Sequence, residues 1–70
     1  MAITQGDAEK WIKNHGGSVE SHATDQGWVA SARLGDVTAE GDAPDEAEAR
    51  YVAIVKLRKI VGKTNPQILW

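Results

Sequence analysis

Between residues 18 and 40 the chain reads with a period of two in three consecutive segments. In SVESHAT, Val19, Ser21 and Ala23 alternate with Glu20, His22 and Thr24. In WVASARL, Trp28, Ala30, Ala32 and Leu34 alternate with Val29, Ser31 and Arg33, and in VTAEG, Val37 and Ala39 alternate with Thr38 and Glu40. Successive side chains of a strand point to opposite faces, so each segment has one apolar side and one mainly polar side. The links are short. TDQG at 24–27 supplies a glycine for a positive-φ position, and Gly35-Asp36 is a two-residue hairpin loop. Links this short join antiparallel neighbours, which predicts a three-stranded antiparallel meander with one wet face.

Helical patterning flanks this block on both sides. A first helix is predicted over residues 5 to 15, capped by Thr4, with Ala8, Trp11, Ile12 and His15 on one face and Gly16-Gly17 ending it. A second is predicted from about Pro44 to Val61. Proline suits the first helical position, and Asp45, Glu46 and Glu48 suit the positive end of the helix dipole. Ala47, Ile54, Leu57 and Val61 form its apolar stripe, widened by Ala53 and Ile60 on one side and Tyr51 on the other. Arg50 falls inside this arc, where it must snorkel or pair. The predicted fold is therefore α+β, in the order α-β-β-β-α, with both helices on one face of the meander. Trp11, Ile12, Trp28, Leu34, Val37, Ile54, Leu57 and Val61 are its expected core. Residues 1–62 form the single expected domain and 63–70 a tail ending in the apolar Ile68, Leu69 and Trp70.

Composition narrows the function. Seventy residues make one domain, with no room for a deep cleft. Eight basic against ten acidic residues give a net charge of −2 and no global pull toward phosphate or anionic lipid. No cysteine is present, which excludes a disulfide framework and thiolate metal sites. The longest apolar run, YVAIV, is too short for a membrane span, and MAITQGDAEK has no signal-peptide pattern. A cytoplasmic location without membrane contact is expected.

The order and length resemble a double-stranded-RNA-binding domain over nearly the whole chain. The local echo lies in GWVASARL, VTAEGDA and the alanine-bearing EAEARYVAIVKL. The resemblance implies the α-β-β-β-α fold and, in the family, a second helix that opens on a lysine pair straddling RNA phosphates. Here the matching positions hold Pro44, Asp45 and Glu46. Carboxylates repel a phosphate backbone and release no counterions, so the fold is implied while double-stranded RNA is disfavoured at that helix start. Residues 26 to 57 are also similar to HicB-like antitoxin domains, where a strand pair leads into a phrase like G-D-T-x-E-E-A. This chain has GWVAS followed by EGDAPDEAEA, with Ala43 in place of the usual threonine cap. Size and acidity further resemble small α-β sandwich proteins of bacteriophages.

Catalysis finds no motif. Ser18, Ser21 and Ser31 lack a nucleophile elbow, and HGGS lacks the lysine and helix of a phosphate loop. Glu20, His22 and Glu40 share the polar sheet face, but a meander separates Glu20 from Glu40 by about 9–10 Å. No cofactor and no metal are expected. Two surfaces remain. Asp42, Asp45, Glu46 and Glu48, with Val52, Val55 and Trp70, are candidates for a protein interface. Lys56, Lys59 and Lys63, spaced i, i+3, i+7, form a candidate nucleic-acid patch. The expectation is a non-enzymatic protein–protein interaction module, such as a phage accessory or antitoxin-like protein, acting as monomer or homodimer. Nucleic-acid binding through the lysine face is the alternative.

Overall fold

The computed structural model describes the backbone of residues 5–64 and the side chains of residues 6–63. The expected Thr4 cap and the tail's Ile68, Leu69 and Trp70 lie outside the described residues. The element order is α1 (Gln5–Asn14), β1 (Ser18–Thr24), β2 (Gly27–Leu34), β3 (Val37–Ala43) and α2 (Glu46–Thr64). The three strands form one antiparallel sheet in the order β1-β2-β3, as the period-two reading predicts.

Each junction has a local cause. At the end of α1, Gly16 takes φ 77°, its N–H donates to Lys13 O at 3.1 Å, and Gly17 N–H donates to Ile12 O at 2.8 Å. That pair of bonds is a Schellman cap, which satisfies carbonyls the helix leaves orphaned. Gly35 at φ 62° opens the two-residue β2–β3 turn, where only glycine is unstrained. At the start of α2 the expectation needs correction. Pro44 is not the first helical residue; Asp45 is the cap, and its Oδ2 accepts the Glu48 N–H at 3.2 Å. Helix α2 also continues past Val61 to Thr64, because one internal glycine costs only about 1 kcal/mol and Gly62 does not stop it.

The buried cluster draws on α1 (Ala8, Trp11, Ile12), on the inward side of the sheet (Ala30, Ala32, Ala39) and on α2 (Ala49, Ala53, Ile54, Leu57, Val61). Both helices therefore cover the same face. The expected Trp28, Leu34 and Val37 are only half-buried and pack at the margin. The centre of the sheet is instead floored by small residues, Ala30 opposite Gly41 and Ala32 opposite Ala39. A Cβ on Gly41 would stand 2.6 Å from Ala53 N and 2.9 Å from Ala49 O. Helix α2 thus rests its backbone almost directly on β3. This rotates the stripe of α2: Ala49 is buried and Ala47, expected on the apolar stripe, is exposed. Ile60, expected to widen that stripe, is 44% exposed. His15 is exposed too, its ring 4.9 Å from that of Trp11.

Candidate functional site

Two close approaches fix the direction of the helices. Gly17, just past α1, sits against Arg33 O and Leu34, at the β2–β3 end of the sheet. Gly27 sits against Ala43 and Pro44, so α2 starts at the opposite, β1–β2 end. Both helices therefore begin at the β1–β2 end and run toward the β2–β3 end.

That alignment sorts the charges. Asp7 and Glu9 open α1, Asp45, Glu46 and Glu48 open α2, Asp25 lies in the nearby β1–β2 turn and Asp42 near the end of β3. Past Glu9 in α1 the charged residues are Lys10 and Lys13, and from Ala49 to the end of α2 they are Arg50, Lys56, Arg58, Lys59 and Lys63. Each helix keeps anions at its positive end and cations at its negative end, which stabilises both. The helices thus give the molecule an acidic pole and a basic pole, the latter also holding Arg33 and, in the β2–β3 turn, Asp36.

At the acidic pole the one cation from α2 is engaged by its neighbours. Arg50 Nε and Nη2 donate to Glu9 Oε2 and Oε1 at 3.1 and 3.0 Å, a two-pronged pair tying α2 to α1. Its Nη1 donates to Ser21 Oγ at 3.4 Å, and Ser21 Oγ donates to Glu46 Oε2 at 2.7 Å. This polar knot joins α1, β1 and α2. The hydrogen bonding of Arg50 to Glu9 raises its pKa most. Partial burial opposes that, and the charges of Glu9 and Glu46 add to it. A guanidinium with a raised pKa gives stabilisation that persists below its ordinary range and is lost only above it, so it adds no pH dependence under usable conditions.

The predicted acidic residues do not converge on one patch. Asp42 lies on the open sheet face in the row of His22 and Val29, Asp45 caps the helix, Glu46 reaches Ser21, and Glu48 is exposed. Val52 and Val55 are half-buried, and Val52 packs beside Gly41. Lys56, Lys59 and Lys63 are all exposed on one side of α2. Ile60, expected at the margin of the apolar arc, lies among them in the helix and is exposed. No group of three or more His, Asp or Glu among the described residues is placed to hold a metal ion. No described helix is long and apolar enough to cross a membrane. A shallow depression at the acidic pole is lined by Gln26, Trp28, Asp42, Ala43 and Pro44.

No protein-family model matches the chain, and no curated protein matches its sequence. Among solved structures, it is similar to the solution structure of RDE-4 residues 32–136, at 27% identity and a TM-score of 0.64. The match covers 89% of this chain and 60% of that one. The fold is that of a double-stranded-RNA-binding domain in its α-β-β-β-α topology, as the sequence resemblance implies.

Proposed function

We propose that this chain is a non-enzymatic binding module that engages nucleic acid phosphates through its basic pole, with Lys56, Lys59 and Lys63 as the contact residues. The observation that carries this reading is the exposed lysine strip on the half of α2 that holds no acid, within a fold of the double-stranded-RNA-binding type. The net charge of −2 does not oppose it. Along α2, Lys56 and Lys63 stand about 12 and 22 Å beyond Glu48 at 1.5 Å per residue, farther than the ~8 Å over which charges are felt at physiological salt, so a phosphate on the strip is largely screened from the acids. The mode differs from the family's, because the start of α2 carries carboxylates and Arg50 is engaged by Glu9. Three lysines predict weak binding without base readout, and a log-log salt slope of about −2.7 on a duplex.

The test is a titration of a short RNA or DNA duplex across a salt series. Binding that falls with salt and is abolished by the triple change Lys56→Gln, Lys59→Gln and Lys63→Gln supports the reading. Binding indifferent to that change, or none at low salt, ends it.

A second reading is favoured by the acidic pole. Asp42 lines the depression beside Trp28 and Pro44, and Asp25, Asp45 and Glu48 are exposed at the same end of the molecule, a combination suited to a basic protein partner. On that reading the chain is an interaction module of the antitoxin-like or phage accessory kind, acting in the cytoplasm. Reversing Asp45 and Glu48 abolishes such a contact and leaves the lysine strip intact.

A further inference from the structure

The two edges of the sheet differ in what they offer another strand. Hydrogen-bonded and non-hydrogen-bonded pairs alternate along an antiparallel ladder. The two-residue turn makes Thr24 and Gly27 a hydrogen-bonded pair, so His22, Glu20 and Ser18 also direct their backbone groups to β2. The N–H and C=O groups of Val19, Ser21 and Ala23 then point outward from β1. By the same count Thr38, Glu40 and Asp42 point outward from β3.

Laid against its own reverse about Ser21, β1 is complementary at every position. Val19 faces the partner's Ala23, Glu20 faces the partner's His22, and Ser18 faces the partner's Thr24. The three outward residues of each copy form about six backbone hydrogen bonds. On the open sheet face, two symmetry-related pairs then set a carboxylate acceptor against an imidazole donor, both exposed in the single chain. On the other face, half-buried Val19 covers exposed Ala23 of the facing copy. Edge strands are ordinarily guarded by lysine, proline or inward charge, and β1 has none of these. β3 is guarded. Self-pairing about Glu40 sets glutamate against glutamate, and pairing about Gly41 sets Glu40 against the partner's Asp42, both destabilising.

We propose that β1 is a self-association edge: a second copy of this chain adds antiparallel about Ser21, giving one sheet continuous through both copies with all helices on the same side. This stands independently of the nucleic-acid reading.

The test is sedimentation equilibrium of the full chain from micromolar to millimolar concentration, with circular dichroism to confirm that each variant is folded. The wild type dimerises. Glu20→Lys sets lysine against histidine, and His22→Glu sets acid against acid, so each weakens the dimer by about tenfold. The double variant sets lysine against glutamate and returns the dimer to near wild-type strength. Glu40→Lys, on the other edge, leaves it unchanged. A chain that stays monomeric throughout, single variants that dimerise like wild type, a double variant as weak as its worse parent, or a dimer lost in Glu40→Lys would each overturn the proposal.

Discussion

At the scale of single residues, Gly41 and Arg50 carry more of the structure than their sequence context announces. A methyl group at Gly41 meets backbone atoms of α2, which cannot swing aside as a flexible side chain would. Gly41→Ala should therefore destabilise the domain by about 1–3 kcal/mol, the usual range for overpacking. A urea melt should show a lower midpoint with an unchanged slope. The sequence reading took this glycine as the end of a strand, although β3 runs on to Ala43. Nothing local marks the difference, because a strand-ending glycine and a glycine under a helix look alike in one dimension. Arg50 was legible in part. Its place inside an apolar arc required a partner, but Glu9 lies 41 positions away and only the packing of α1 on α2 brings it near.

At the scale of elements, the meander and both helices were legible because each rests on a strong local signal: period two, glycine at the turns, and acids at the start of α2. The rotation of α2 was not. Ala47 and Ala49 are the same residue type two positions apart, and the stripe is decided by which of them meets the alanine-and-glycine floor of β2 and β3. The same floor moved Trp28, Leu34 and Val37 to the margin, since ranking core residues by size overlooks how close a helix can come to small residues. The start of α2 depends on its cap. Asp45→Ala should cost about 1 kcal/mol through loss of the acceptor for the Glu48 N–H. The prediction is checked by the same urea melt, in which Asp45→Asn should stay near wild type.

At the scale of the whole molecule, net charge proved a poor summary of electrostatics, because the sequence total hides the sorting that parallel helices impose. The lysine spacing on α2 was legible from residues alone, as was the acidic opening of that helix. Their separation to opposite ends needed the directions of both helices. If those acids are what hold duplexes away from the start of α2, then Glu46→Lys with Glu48→Lys should strengthen duplex RNA binding by about tenfold at low salt, with the gain disappearing as salt rises. An unchanged affinity would show that this helix start has no influence on the approach of nucleic acid. Opposite charges held at the two ends of a rigid body also produce a torque in any external field. If the basic end is the one that meets a polyanion, the domain turns before it touches, and Trp28 and Pro44 face away, available to whatever comes next.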